Sequence, residues 1–244
     1  MARRRFFVDA VHSGRAQVTG PDAHHLTRVL RVEPGQNFEI SDNQNVYLAE
    51  VESARKDLVS FVIREPVAVP EPGVRVTLLA SLIRFERFEW MIEKATELGV
   101  ERIVPLETER TEKGLGRAAE KRSARWNRIA KEASEQSRRA RLPEIGAAVA
   151  LTDVLGIEAV YRYMLDEAQG VQSASPILGV LPASRHARDQ VALLFGPEGG
   201  WTDRERLLIA AAGWRSVSLG PEILRAETAA IAGLAIINAA WIAT

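Results

Sequence analysis

Cysteine is absent from the 244 residues of this chain. That excludes disulfide staples, a thiolate nucleophile and any zinc site built on cysteine sulfur. Histidine is scarce, with four copies at His12, His24, His25 and His186. None falls in an HExxH pattern, so no metal site is expected. No uninterrupted apolar run reaches the ~18 residues of a membrane span, so no membrane partner is expected either. The stretch Arg3-Arg4-Arg5-Phe6-Phe7-Val8-Asp9 is basic but has no apolar core before Asp9. It does not read as a secretory signal, and a cytoplasmic protein is expected. GxxxxGK[ST] and GxSxG are both missing, which removes the P-loop and the hydrolase nucleophile elbow. One GxGxxA match, from Gly114 to Ala119, follows a polar stretch rather than a buried strand. It reads as a loop leading into a helix.

Hydrophobic residues make up 46% and charged residues 26%, enough for a sizeable core in one large or two smaller domains. The formal net charge is zero, but the charges are segregated. Residues 1–31 carry +4, residues 32–109 carry −7, residues 110–141 carry +7 and residues 142–244 carry −4. Separated basic segments focus field on a polyanion, although a solvated charged face gives the same pattern.

Residues 5–8, 38–41, 46–51 and 58–63 read as short strands, with a short helix over 21–30 and a polar turn at Asp42-Asn43-Gln44-Asn45. That is the composition of a small β-barrel. Pro66, Pro70 and Pro72 mark a stiff linker. The expected domains are therefore 1–70 and 74–244. Beyond the linker, strands are expected at 74–80, 102–106, 161–165, 191–195 and 216–219. Helices are expected at 88–98, 117–139, 204–212 and 225–243. The alternation predicts an α/β fold with a mainly parallel sheet. The closing helix is apolar on nearly all sides and rich in small residues, so it must be central or lie at a subunit interface.

Chemistry concentrates at two loops. The apolar run 191–195 ends in Gly196-Pro197-Glu198-Gly199-Gly200, followed by Thr202 and Glu205 at capping-box spacing. The run 216–219 leads into Gly220-Pro221-Glu222-Ile223-Leu224-Arg225-Ala226-Glu227. Ligands of α/β sheets bind outside the carboxyl ends of the strands, where glycine lets backbone groups approach. Each loop alone reads equally well as a plain turn. Two of them after buried strands predict one shared pocket.

These two loops resemble the signature of the RsmE family, SPOUT-class enzymes that methylate N3 of a uridine in 16S ribosomal RNA. Further segments agree in order: Arg84 to Glu89 with Lys94 to Val100, Glu135-Gln136-Ser137 with Leu142 to Ile145, and His24 to Arg31. The chain departs from the family at Arg84-Phe85, where Lys-Gly is usual, at Arg138, where Gly is usual, and at Glu222, where a basic residue is common.

The resemblance implies an N-terminal PUA-like barrel, a C-terminal trefoil-knotted SPOUT domain, S-adenosylmethionine as cofactor, and a homodimer acting on 16S rRNA, within the small subunit. It implies cofactor contacts from Leu165, Phe195, Gly196, Pro197, Glu198, Gly199, Gly200, Leu219, Gly220, Ile223 and Leu224. Arg225, Glu198 and Glu227 are its catalytic candidates, with Arg225 as donor to the uracil oxygens; a Glu198–Arg225 pair that only shapes the loop is the alternative. RNA contacts are expected from Arg3, Arg4, Arg5, Arg28, Arg31, Arg138 and Arg139. A SPOUT enzyme acting on tRNA or on a ribose hydroxyl, and a non-catalytic RNA binder, remain open at this point.

Overall fold

The structure, a computed structural model, describes residues 4–71, 73–167 and 174–242. The chain divides into two compact units.

The first unit comprises residues 1–70 and 131–142. Its strands are β1 Arg5–Phe7, β2 Val11–His12, β3 Arg15–Thr19, β4 Asn37–Ser41, β5 Val46–Arg55 and β6 Leu58–Val67, with helix α1 Gly20–Arg28 after β3. The sheet order is β1-β4-β5-β6-β3-β2; β1 and β4 are parallel and the other pairs antiparallel. Alternation along β3 buries Ala16 and Val18 against Ile40, Val51, Val59 and Phe61, and α1 adds Ala23 and Leu26. The β4–β5 turn forms where Asp42 Oδ1 accepts the backbone N–H of Gln44 and Asn45. The β2–β3 hairpin has no counterpart in the sequence reading, because His12-Ser13-Gly14-Arg15 carries no apolar alternation. The expected linker also starts later. β6 continues through Pro66 opposite Tyr47, beyond Val62 where its pairing with β3 ends. A residue without an N–H is tolerated on such an edge.

Residues 131–142 belong to this unit rather than, as expected, to the second. Asp22 is ion-paired with Lys131, Ser41 Oγ donates to the Ala140 carbonyl at 2.6 Å, and Leu142 N donates to Asn43 Oδ1 at 2.7 Å. Burial pushes the Glu135 carboxyl up to about 7, against the favourable charge of Lys131 and the Phe7 N–H. A carboxyl whose folded pKa is raised binds its proton more tightly folded than unfolded. Its contribution is fully present below the unfolded value of about 4.5 and is lost as pH rises through about 7. Glu135→Gln is therefore expected to raise stability at pH 8 by up to about 3 kcal/mol. At pH 5 the difference should shrink to about 1 kcal/mol or less. Melting curves of both proteins at the two pH values check this; an equal gap at both would contradict it.

The second unit comprises residues 71–130 and 143–244. Its elements are β7 Val74–Ser81, α2 Phe85–Glu97, β8 Arg102–Glu107, α3 Leu115–Glu120, α4 Ser123–Gln136 (whose last six residues count with the first unit), β9 Glu144–Ile145, β10 Val149–Ala150, α5 Leu151–Val154, β11 Tyr161–Leu165, β12 Ser175–Pro176, α6 Ile177–Val180, β13 Asp189–Phe195, α7 Asp203–Ala211, β14 Arg215–Ser218 and α8 Ala226–Ile242. The sheet order is β10-β8-β7-β13-β11-β14-β12, with β9 also on β8, and every pair is parallel. β13 therefore returns late in the chain to lie between β7 and β11.

Both faces of the sheet's centre are buried, which is why β8 and β13 are continuous apolar runs rather than alternating ones. Leu78, Leu193 and Phe195 share one core with Phe88, Met91 and Ile92 of α2 and Leu234 and Ile237 of α8. Leu79, Ala192 and Leu194 point to the other, with Leu151, Ile209, Trp201 and Trp214. The single helix expected over 117–139 is two, broken at Lys121-Arg122. The glycine match starting at Gly114 is the cap of the first of them. Much of the basic run there is committed internally. Arg122 and Arg125 both pair with buried Glu89, and the Arg122 guanidinium lies over the Phe85 ring. Among the described residues, no helix is long and apolar enough to cross a membrane.

Candidate functional site

Because the strands are parallel, their carboxyl ends share one edge. Ser81, Leu165, Phe195 and Ser218 end β7, β11, β13 and β14 there. A cavity of about 610 Å³ opens at this edge. The structure brings Leu165, Phe195, Gly196, Pro197, Glu198, Gly200, Leu219, Gly220, Ile223, Leu224 and Arg225 together around it, from both glycine loops. Arg87, Asp166, Glu167, Trp201 and Glu222 also line it.

Local chemistry fixes the first loop. Ser81 Oγ donates to the Phe195 carbonyl at 2.7 Å, and the Trp201 indole donates to the Leu165 carbonyl at 2.9 Å. The indole, held there, lies so close to Gly196 that a Cβ on residue 196 would sit 3.0 Å from it. Gly200 has φ +67°, and its missing Cβ would sit 2.8 Å from Glu167 Oε1. A side chain there costs strain regardless of space. Thr202 and Glu205 form the expected capping box: the Thr202 hydroxyl accepts from Glu205 N, and Glu205 Oε2 accepts from Thr202 N. Glu205 is buried and its other oxygen accepts from Glu109 N at 2.8 Å, tying α7 to the loop after β8.

Gly199 departs from expectation. It does not line the cavity; a Cβ there would meet the Arg110 side chain at 3.3 Å, and Arg110 Nη1 donates to the Gly199 carbonyl at 2.7 Å. The loop turns this residue outward. Glu227 is likewise outside the lining, buried in the first turn of α8.

The Glu198–Arg225 pair held as the alternative is absent. Glu198 pairs instead with Arg87 of α2, Nη1 to Oε1, at 2.5 Å, and Arg87 Nε lies 3.8 Å from Glu227 Oε1. Arg225 is exposed at the cavity. Asp166 is gripped by the Arg206 guanidinium, which is raised above its usual range chiefly by that bond. The sequence reading missed Arg87, Asp166, Trp201 and Arg110. Only Arg87 left a trace, as a charged residue off the apolar stripe of α2.

In the first unit, Arg4, Arg28 and Arg31 are exposed, and Arg3 lies outside the described residues. Arg138 pairs with Glu39 at 2.9 Å and Arg139 Nε donates to the Arg141 carbonyl. Arg5 is a correction. It is 6% exposed, with Nε and Nη2 on Glu39 Oε2 and Nη1 on the Arg138 carbonyl, so its guanidinium is spent inside this unit. Burial works to raise the Glu39 carboxyl, but the bonds and charges of Arg5 and Arg138 outweigh it and hold it below the usual range. Arg5→Ala is expected to cost about 3 kcal/mol of stability, the low end of the range for breaking a buried pair, because Arg138 remains. Urea unfolding checks this; a variant as stable as its parent would show that the pair is dispensable.

A small, mostly antiparallel six-stranded sheet in one unit and, in the other, a parallel α/β sheet with two glycine loops at its carboxyl edge are the build of an RNA methyltransferase. A family model described as an RNA methyltransferase domain matches residues 70–238, and one described as an RNA methyltransferase PUA domain matches residues 18–64. The chain is 36% identical to the ribosomal RNA small subunit methyltransferase E of Synechocystis, covering 91% of this chain and 72% of that protein. It is 33% identical to that of Bacillus subtilis, over 91% and 88%. The crystal structure of the Neisseria gonorrhoeae ribosomal RNA small subunit methyltransferase E bound to S-adenosyl methionine superposes with a TM-score of 0.84 at 30% identity, covering 98% of each chain. The chain belongs to the RsmE family.

Proposed function

We propose that this protein transfers a methyl group from S-adenosylmethionine to N3 of a uridine in 16S ribosomal RNA. The observation that carries this is the convergence of both glycine loops on one cavity at the carboxyl edge of the sheet. Its volume lies within the ~300–1,000 Å³ of small-molecule sites. Its lining suits an adenosyl group: exposed loop backbone for the adenine edge, and Leu165, Leu219, Ile223 and Leu224 as apolar walls. Carboxylates at Glu167 and Glu222 suit a cationic ligand.

Bound there, S-adenosylmethionine supplies an electrophilic methyl on a sulfonium. The protein's task is to hold the uracil N3 in line and to make it nucleophilic. Its N–H proton has to leave, and negative charge spreads onto O2 and O4. In this reading Arg225, exposed at the cavity, donates to one of these oxygens and so stabilises the anion. The base must also leave the stack to enter such a cavity. Arg4, Arg28 and Arg31 supply exposed charge for phosphates on the PUA-like unit. Replacing all three with Ala should flatten the salt dependence of RNA binding by up to ~0.7–0.9 log unit per lost contact, without changing cofactor affinity.

The homodimer belongs to this reading: Ile242 at the end of the apolar helix α8 is 80% exposed, and Trp90 on α2 is 46% exposed. So does the trefoil knot, with which the late return of β13 between β7 and β11 is consistent. Calorimetric titration with S-adenosylmethionine tests the reading. Micromolar binding supports it, and no binding by the folded protein overturns it.

A further inference from the structure

We infer that Arg87 is a positioning residue for methyl transfer: one guanidinium that sets the separation of the two ligand loops. This rests on the proposed cofactor site. The resemblance that pointed to the glycine loops gave this residue no role.

Arg87 stands in the first turn of α2, directly after β7. Its Nη1 reaches Glu198 of the first loop at 2.5 Å, and its Nε faces Glu227 of α8, two residues beyond Arg225, at 3.8 Å. Glu198 and Arg87 are about equally exposed and both line the cavity, whereas the Glu227 side chain is 7% exposed. Glu227 Oε2 is buried and without a hydrogen-bond partner. A buried carboxylate oxygen left unpaired is costly, so the nearby guanidinium is the main charge compensating Glu227. Arg225 immediately precedes α8, and the first loop carries Gly196 and Pro197. Holding Glu198 and Glu227 to one cation therefore fixes the distance between the cofactor walls and the residue placed to act on the base. In-line transfer is sensitive to such a distance: a displacement of about 1 Å can cost ~10²-fold in rate. A planar fork can serve two carboxylates at once, whereas a lysine ammonium is a single point charge on a flexible stem.

The test uses the full chain and three variants, Arg87→Ala, Arg87→Lys and Arg87→Ala with Glu227→Gln. Affinity for S-adenosylmethionine is measured by calorimetry, kcat at saturating cofactor and RNA, and folding by thermal melting. For Arg87→Ala, the expected result is cofactor affinity weakened by about 10-fold and kcat lowered by about 10²-fold, a loss that excess cofactor does not restore. Arg87→Lys should recover part of the affinity and little of kcat. The double variant removes the uncompensated carboxylate, so it should regain melting temperature without regaining kcat. That separation is what a merely structural role would not produce. If folded Arg87→Ala keeps kcat and affinity within about twofold of the parent, or if the double variant regains full turnover together with its stability, the inference is overturned. If the parent itself fails to bind S-adenosylmethionine, the proposed function has failed instead.

Discussion

Replacing Arg225 with Ala is expected to lower kcat for RNA methylation by about 10²–10³, the usual loss for one preorganised donor to a developing oxyanion. Cofactor affinity should stay within about threefold of the parent, because the donor acts where charge appears in the transition state. Arg225 is exposed at the cavity, and the carboxylate that sequence reasoning offered it is already paired with Arg87. It can therefore be removed without stripping Glu198 of its partner. Single-turnover rates at saturating cofactor, together with calorimetry, make the measurement. Full turnover would show that Arg225 only shapes the loop. A large affinity loss with normal kcat would make it a cofactor contact rather than a catalytic residue.

The second large effect separates neighbours in the same loop. Gly196→Val is expected to weaken S-adenosylmethionine binding by at least about 10²-fold and to destabilise the protein by about 1–3 kcal/mol, as overpacking does. The added carbons would press on the Trp201 indole, which its bond to the Leu165 carbonyl prevents from yielding. Gly199→Ala should change affinity by less than about threefold, since its methyl would face the flexible stem of exposed Arg110. Calorimetry on both variants decides. If Gly199→Ala proved the more damaging, the loop would present Gly199 rather than Gly196 to the ligand.

What the sequence made legible was local or periodic. The buried strands β7, β8, β11 and β13 announced themselves as largely apolar runs, and α2 as a helical stripe, because burial on two faces or on one leaves that imprint. The Thr202–Glu205 box was readable because both partners lie within four residues. Exposed arginines were not separable from structural ones. Arg4 and Arg5 are adjacent and identical in type, yet one is exposed and the other is locked onto Glu39, 34 residues away. The Arg87–Glu198 pair spans 111 residues, and nothing near either residue encodes it. Residues 110–141 carried the strongest basic signal in the chain, but part of that charge, at Lys131 and Arg138, holds Asp22 and Glu39 rather than facing outward. Charge counted along a sequence does not distinguish these uses; tertiary partners do.

The central claim is methylation of a uracil nitrogen in small-subunit rRNA. Its most direct test is to incubate unmodified 16S rRNA, naked or within small subunits, with this protein and S-adenosylmethionine bearing a heavy methyl group, and then to analyse the digested nucleosides by mass spectrometry. The expected result is heavy 3-methyluridine, at most one per rRNA molecule, formed about 10²–10³-fold more slowly by Arg225→Ala. Label appearing instead as a ribose 2′-O-methyl nucleoside, or appearing only when tRNA replaces rRNA, would contradict the account.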